Sequence, residues 1–153
     1  MSVGYNRDDH VNTMQAKHSV SVAGVIVNDK GQALLIQRLD NQHWEPPGGI
    51  LELDESIEDG LRREVREETG LTVESVALTG VYKNIKRGII ALVFRCRAVG
   101  GHLAPNPEVA AFRWASRDEV KALADEAFAV RVFDALTVGN LTAVREHDGI
   151  HLV

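Results

Sequence analysis

The chain has 153 residues, of which 44% are hydrophobic and 25% charged. These proportions are typical of a single globular domain and exclude a disordered or fibrous chain. The formal net charge of -5 at pH 7 argues against non-specific binding of DNA or RNA, because that binding needs Lys and Arg to neutralise phosphates. A bound phosphate would therefore need a metal ion or a local basic patch to offset its charge.

The domain is expected to span residues 18–153, after a flexible N-terminal arm at 1–17. The arm is polar and lacks the apolar centre of a signal peptide. No apolar run approaches ~18 residues, so no membrane span is expected, and a cytoplasmic location is the default expectation. The single cysteine, Cys96, excludes an internal disulfide. Its apolar neighbours predict a strand, and the thiol is expected to be buried or half-buried and structural.

Strand patterns alternate with turn signals at the start of the predicted domain. Residues 19–27 and 33–37 are apolar and β-branched, and they predict the two strands of a hairpin around a turn at 28–31. Two prolines and two glycines preclude a helix between Trp44 and Gly49.

An amphipathic helix is predicted over 56–69. Its apolar stripe, with a repeat of four, consists of Ile57, Leu61 and Val65. Gly70 lies where a left-handed C-terminal cap is expected. Gly60 lies inside the helix and costs roughly 1 kcal/mol against Ala, which favours close packing against a neighbouring element.

The second half of the chain combines strands with two further helices. Strands are predicted at 73–85, 89–99 and 109–114, with a turn at 86–88. A capping box at 116–119 opens a short helix, and 126–136 is a second amphipathic helix. Asp148-Gly149 resembles a hairpin turn. This order predicts a strand-dominated core with helices packed on the faces of a sheet.

Three carboxylates share one face of the helix predicted over 56–69. At about 100° per residue, Glu64, Glu67 and Glu68 lie within an arc of about 100°. Like charges spaced i,i+4 cost a few tenths of a kcal/mol per pair, and the helix dipole disfavours anions near the C-terminus. A divalent cation would remove both penalties, and oxygen ligands favour Mg²⁺ or Mn²⁺ over zinc. A solvated acidic surface is the alternative that this geometry alone leaves open.

The segment Gly49 to Leu71 resembles the Nudix box, G-x5-E-x7-R-E-U-x-E-E-x-G-U, where U is a bulky aliphatic residue. The residues at its fixed positions are Gly49, Glu55, Arg63, Glu64, Val65, Glu67, Glu68, Gly70 and Leu71. The upstream Trp44-x-x-Pro47-Gly48-Gly49 is also similar to the family's usual approach to the box. The resemblance implies the Nudix fold, an α+β (α/β/α) sandwich in which a mixed β-sheet is packed between helices, with a loop–helix–loop at the box.

The same resemblance implies roles for individual residues. It assigns four ligands to Mg²⁺, with Mn²⁺ as an alternative ion: Gly48 through its carbonyl, Glu64, Glu67 and Glu68. Arg63 and Glu55 would form a pair that holds the catalytic helix against the loop. Glu64 is the expected general base and Glu108 the alternative, because the base is not uniform within the family. The implied reaction is hydrolysis of a phosphoanhydride bond in a nucleoside diphosphate linked to another moiety.

The substrate is less well determined by the sequence. Positions after the box match neither the proline of ADP-ribose hydrolases nor the tyrosine of dinucleoside polyphosphate hydrolases. Nucleoside triphosphates, including oxidised ones, are therefore the default, and ADP-ribose or a nucleotide sugar is the alternative. Candidate substrate contacts, each also open to a purely structural interpretation, are Arg38, Tyr82, Lys83 and Lys86. Trp44 is open to the same two interpretations.

The family resemblance leaves one alternative type of protein. A non-catalytic, nucleotide-sensing Nudix domain would bind the same small molecules without hydrolysing them.

Two further expectations concern assembly and metal binding. The family resemblance predicts a possible homodimer. The spacing His147-x3-His151 is compatible with a second metal site, although two surface histidines on a hairpin are the simpler interpretation.

Overall fold

The computed structural model describes residues 17–137, 139 and 141–153, which form eight strands and three helices. The predicted arm at 1–17 lies outside the described residues, apart from Lys17. The first four strands are β1 (Ser19–Ile26), β2 (Ala33–Arg38), β3 (Trp44–Glu45) and β4 (Gly48–Ile50). The segment around Trp44 to Gly49, for which a helix was precluded, thus contains two very short strands, β3 and β4.

The remaining elements follow the predicted order closely. They are α1 (Ile57–Thr69), β5 (Leu71–Asn84), β6 (Ile89–Gly101), β7 (Val109–Ala115), α2 (Arg117–Leu123), α3 (Glu126–Leu136) and β8 (Ala143–His147). The predicted capping box is present at the start of α2, where Ser116 and Glu119 exchange side-chain to backbone hydrogen bonds. Within the described residues, no helix has the length and apolar character needed to cross a membrane.

The strands form two sheets. The larger sheet is mixed and has the order β4-β1-β6-β5-β8, with β1 parallel to β6 and β5 parallel to β8. The smaller sheet has the order β3-β2-β7 and is antiparallel. The predicted α+β architecture with a mixed sheet between helices is confirmed, with the addition of a second sheet.

The predicted hairpin between β1 and β2 is wrong. These strands belong to different sheets and share a single bridge between Val27 and Ala33. The turn itself forms, because the Asn28 side chain accepts hydrogen bonds from the backbone of Lys30 and Gln32. Both strands are buried on both faces, so the chain crosses into the second sheet instead of pairing back on the first.

The hydrophobic core has two halves, one on each side of the larger sheet. One half packs Leu61 and Val65 of α1 against strand residues that include Leu34. The other half packs Val132 of α3 against residues that include Leu35. Adjacent residues of β2 thus point into different halves of the core, as the two-residue period of a strand requires. Cys96 is buried in the α1 half, as predicted.

Helix α1 begins and ends as its sequence predicts. The Ser56 hydroxyl accepts a hydrogen bond from the Asp59 N–H, and Gly70 caps the C-terminus in the left-handed conformation at φ 84°. The close packing expected at Gly60 is also present, because an added Cβ would lie 2.4 Å from Leu51 Cδ1.

The tail folds back at the predicted Asp148-Gly149 turn as a minimal hairpin. An antiparallel bridge joins His147 to Leu152, and the Val153 N–H donates to the Glu146 carbonyl at 3.1 Å, while strand β8 itself pairs with β5. Asp148 also accepts hydrogen bonds from the backbone of Ile150 and His151, which tightens the turn.

Candidate active site

Two glycines bring the backbone of β4 against its neighbours. A Cβ on Gly48 would lie 2.3 Å from the Val22 carbonyl oxygen, and one on Gly49 would lie 2.2 Å from Glu64 Oε2. The backbone N–H of Gly48 donates a hydrogen bond of 2.8 Å to Glu68 Oε1. The Gly-Gly turn and the acidic face of α1 therefore form one compact unit, which only residues without side chains permit.

Glu68 is the most buried carboxylate of this unit, with 8% of its surface exposed. The pKa of Glu68 is raised to about 8, mainly by burial and in part by the charges of Glu64, Glu45 and Glu108, while the hydrogen bond from the Gly48 N–H opposes the shift. Burial also raises the pKa of Glu64. A nearby cation would favour the ionised form of both groups.

Arg63 connects the acidic face to the preceding loop. Its Nε and Nη2 atoms donate to the two carboxylate oxygens of Glu55 at 2.8 and 2.6 Å. Its Nη2 also reaches the Ile50 carbonyl, and its Nη1 donates to Glu64 and Glu67 at 2.8 and 3.2 Å. This pairing holds the pKa of Glu55 down at about 2. Arg63 and Glu55 thus join α1 to the loop that follows β4.

The expected metal ligands are close together but engaged with other partners. Glu64 and Glu67 bond Arg63, and Glu68 bonds the Gly48 backbone. Among the described residues, no three His, Cys, Asp or Glu side chains are already arranged around a common metal position. The donor set still fits a hard divalent cation, since it consists of carboxylates beside a glycine backbone. Burial is the main cause of the raised pKa values of Glu64 and Glu68, and neighbouring carboxylates add to both shifts.

The loop before β7 places Glu108 near this unit. Asn106 Nδ2 donates to the Glu68 carbonyl at 2.7 Å, and Asn106 Oδ1 accepts from the Glu108 N–H at 2.9 Å. Glu108 is exposed, and its charge contributes to the raised pKa values of Glu64 and Glu68. The position of Asn106 was not predicted, because it depends on the end of α1 meeting a loop distant in sequence.

A cleft of ≈ 590 Å³ opens beside Gly48 and Gly49. Of the four candidate substrate contacts, Arg38 and Lys86 line it. Arg38 forms a two-pronged ion pair with Asp40, at 2.9 and 2.7 Å. The cleft thus contains cationic side chains beside the acidic unit, and the charge of Arg38 is paired with Asp40.

The hypothesis that Tyr82 contacts substrate is wrong. Its side chain is fully buried, and its hydroxyl donates to Asp134 at 2.6 Å, so it belongs to the core. Lys83 follows it on β5 and faces the other side of the sheet, outside the lining of the cleft. Trp44 packs against the core, in agreement with its structural interpretation.

The inner part of the cleft contains polar residues that the sequence did not single out. Asn84, Arg131 and His147 all line it, and each is at least nine-tenths buried. The available signal for Arg131 was a lone arginine on the apolar face of α3. His147 and His151 do not form a metal site, since His147 is buried and His151 is exposed beside Glu126.

The NUDIX domain model matches residues 17–136. The described fold, the box geometry and this match agree, so the chain belongs to the Nudix family and is a Nudix hydrolase. Enzymes of this family generally use divalent metal ions, which agrees with the acidic unit on α1.

Three comparisons place the chain within the family. It is 54% identical to a MutT-like protein of Streptomyces ambofaciens over 136 residues, which cover 89% of this chain and 88% of the relative. It is 34% identical to a putative 8-oxo-dGTP diphosphatase of Bacillus subtilis over 93 residues, covering 60% of this chain and 62% of the relative. The crystal structure of an ADP-ribose pyrophosphatase from Streptococcus suis superposes with a TM-score of 0.70 at 26% identity, over 82% of this chain and 98% of that one.

Proposed function

We propose that this enzyme is a Mg²⁺-dependent pyrophosphohydrolase that acts on nucleoside triphosphates, including oxidised ones. The observation that carries the proposal is the acidic unit of α1, which adjoins a cleft of ≈ 590 Å³ through the Gly48-Gly49 turn. A cleft of this volume is within the usual range for sites that bind small molecules. The similarity to a putative 8-oxo-dGTP diphosphatase supports this class of substrate.

The proposed Mg²⁺ ligands are the Gly48 carbonyl and the side chains of Glu64, Glu67 and Glu68. Oxygen ligands of this kind favour Mg²⁺, with Mn²⁺ as the alternative ion. When bound, the ion neutralises phosphate oxygens and makes an attacking water more acidic. Loading the site requires Glu64 and Glu67 to exchange their bonds to Arg63 for bonds to the ion.

Each remaining residue has a task in the proposed reaction. Glu64 accepts a proton from the attacking water. The water oxygen bonds to phosphorus, and the anhydride P–O bond breaks. Glu108 is the alternative base, since its charge acts on both Glu64 and Glu68. Arg63 and Glu55 keep α1 in position. The products are a nucleoside monophosphate and pyrophosphate, or a phosphorylated remainder when the substrate is not a triphosphate.

ADP-ribose or a nucleotide sugar is the second candidate substrate. The observation that favours it is the likeness to the ADP-ribose pyrophosphatase of Streptococcus suis, which extends over 98% of that structure. Both candidates share the nucleoside diphosphate portion and differ in the group beyond the broken bond. The identity of the second product therefore separates them.

The experiment is hydrolysis of a substrate panel with Mg²⁺, scored by product masses. The panel contains nucleoside triphosphates, 8-oxo-dGTP, ADP-ribose, nucleotide sugars and dinucleoside polyphosphates. Glu64→Gln and Glu68→Gln should lower the rate on the preferred substrate ~10–100-fold or more. Glu74→Gln, on an exposed carboxylate paired with Arg97, is the matched control and should keep the parent rate. Full activity of Glu68→Gln would place the metal site elsewhere.

A further inference from the structure

The loop between β6 and β7 is docked on the C-terminal end of α1. The Ala104 N–H donates to the Thr69 carbonyl at 3.0 Å, and the Asn106 side chain donates to the Glu68 carbonyl at 2.7 Å. The last carbonyls of a helix have no partner within the helix, so groups from other segments often satisfy them. The loop therefore takes its position from the end of α1 that carries Glu68, a proposed Mg²⁺ ligand.

Asn106 links Glu68 to Glu108 through the two ends of one planar amide group. Its Nδ2 donates to the Glu68 carbonyl, and its Oδ1 accepts the Glu108 N–H at 2.9 Å. A carbonyl needs a donor and an N–H needs an acceptor, so the two partners fix the orientation of the amide. An ionised carboxylate of the same shape has no donor, and a hydroxyl offers a single oxygen in place of the two amide ends. Asparagine is therefore well suited to this link.

The Glu108 backbone is also held from a second side. Its carbonyl accepts the N–H of Leu39, the residue after β2, at 3.0 Å. Both backbone polar groups of Glu108 are thus bonded, one to the Asn106 side chain and one to the end of β2. Its carboxylate is exposed and, within the described part of the chain, is in no ion pair, unlike Glu64 and Glu67. The fixed backbone therefore positions a charge that neither packing nor ion pairing uses.

The charge of Glu108 acts on the acidic unit. It contributes to the raised pKa values of both Glu64 and Glu68, so the carboxylate lies within electrostatic range of two proposed ligands. A like charge at this range disfavours the ionised forms of both groups. The fold gains nothing from holding Glu108 here unless a cation compensates the charge, and this points to a role in the reaction.

We propose that Asn106 is a positioning residue that holds Glu108 beside the carboxylates of α1 during metal binding and hydrolysis. This role rests on the proposed function, in which Glu108 is the alternative base next to the Mg²⁺ ligands. Asn106 is assigned no contact with substrate or ion. It acts through Glu108, because its amide joins that residue directly to the end of α1 and so sets its distance from Glu68.

A double-mutant cycle tests the link. Asn106→Ala removes both amide bonds, Glu108→Gln removes the charge, and the double variant removes both. Mg²⁺ affinity is measured by calorimetry without substrate, and kcat and KM are measured separately on the preferred substrate. The matched control is Asn28→Ala, because the Asn28 amide also bridges a loop, with bonds to Lys30 and Gln32 in the turn before β2 rather than at α1.

Each single variant should lower the same quantity, Mg²⁺ affinity or kcat, by about ten- to a hundredfold, without a comparable rise in KM. In the Glu108→Gln background, Asn106→Ala should cause little further loss, because the residue that it positions has already lost its charge. Asn28→Ala should keep the parent values. Equal losses from Asn106→Ala in both backgrounds would show a general structural role and overturn the proposal. Parent-like affinity and kcat in Glu108→Gln would overturn it as well.

Asn106→Ser separates the link to α1 from the local turn. Its hydroxyl can still accept the Glu108 N–H but is too short to donate to the Glu68 carbonyl. It should therefore lose as much as Asn106→Ala, and parent-like behaviour would contradict the proposal. Melting without metal checks that the variants are folded, and Asn106→Ser replaces Asn106→Ala in the cycle if the alanine variant is not. A parent protein that binds Mg²⁺ but cleaves no nucleotide contradicts the proposed reaction, whereas the affinity measurements still decide the role of Asn106.

Discussion

Burial displaces the protonation of several single residues around the cleft toward their neutral forms. It raises the pKa of Glu68 to about 8, lowers that of Arg131 to about 10, and lowers that of His147. Burying an ionisable side chain costs folding free energy. Ionisable side chains with pKa values shifted in this way are concentrated at functional sites. The cleft therefore keeps charged side chains in an environment that would favour apolar ones if stability alone were selected.

The buried imidazole of His147 makes stability depend on pH. Burial and the charge of Arg131 lower its pKa, so near pH 6.5 the unfolded chain binds a proton that the folded chain does not. The His147 contribution to stability is therefore lost as the pH falls below about 6.5, while Glu68, whose pKa is raised to about 8, contributes with the opposite sign over the same range. The part due to His147 is a difference: between about pH 7.5 and pH 5.5 the melting temperature of the parent protein should fall more, or rise less, than that of His147→Gln.

The control for this measurement is His151→Gln, which changes an exposed imidazole in the same tail. It should retain the parent slope of melting temperature against pH. Identical slopes for the parent protein and His147→Gln would contradict the assignment of the pH dependence to the buried imidazole.

Among the elements, helix α1 fits closely against the loop that precedes it. Gly60 lets the helix approach Leu51 and Glu55, and Glu55 in turn pairs with Arg63. At about 100° per residue, Gly60 lies on the same side of the helix as Arg63 and Glu64. The contacts that position the acidic face therefore adjoin the carboxylates themselves.

Gly60→Ala tests this arrangement. Helix propensity alone would stabilise the variant by roughly 1 kcal/mol. The new Cβ, however, would lie 2.4 Å from Leu51 Cδ1 and 2.9 Å from Glu55 Oε1. Overpacking costs roughly 1–3 kcal/mol, so after the gain in helix propensity we expect a net loss of up to about 2 kcal/mol in the free energy of unfolding, measured by urea titration, together with reduced hydrolysis. Gly100→Ala is the control, since its Cβ would meet no atom closer than 3.7 Å; a more stable Gly60→Ala would contradict the packing argument.

Local patterns predicted the elements that depend on local interactions. Helix α1 and α3 lie within a residue of their predicted bounds, because periodicity and caps act over a few residues. The predicted hairpin between β1 and β2 was wrong because strand partners are chosen by packing across the whole sheet, which placed these two strands in different sheets.

The candidate site divides in the same way. The Glu55–Arg63 pair and the acidic face are contained in one continuous motif, so the sequence could indicate them together. The buried polar residues that line the cleft, Asn84, Arg131 and His147, come from the ends of β5 and β8 and from α3, and no local pattern links those segments. Tyr82 was misassigned because the buried face of a strand is set by the sheet that it joins.

For the whole molecule, the acidic unit couples metal binding to folding. The chain carries a net charge of -5, and part of that charge is concentrated on one face of α1. The unfolded chain separates these carboxylates and has no preformed site, so an ion that binds them stabilises the folded state selectively. The homodimer expected from the family resemblance stays a prediction, which light scattering at micromolar concentration addresses.

Mg²⁺ should therefore raise the melting temperature of the parent protein. At about 100 times its Kd, the ion contributes about 2.7 kcal/mol, or roughly 5–10 °C for a chain of this size. Glu64→Gln and Glu68→Gln should lose most of this shift, yet without metal they should melt at or above the parent temperature, because repulsion at the end of α1 is relieved. Glu74→Gln should keep the full shift. If Glu68→Gln retains the Mg²⁺ effect, the ion binds elsewhere; if it melts lower without metal, the carboxylate is a structural group held by Gly48.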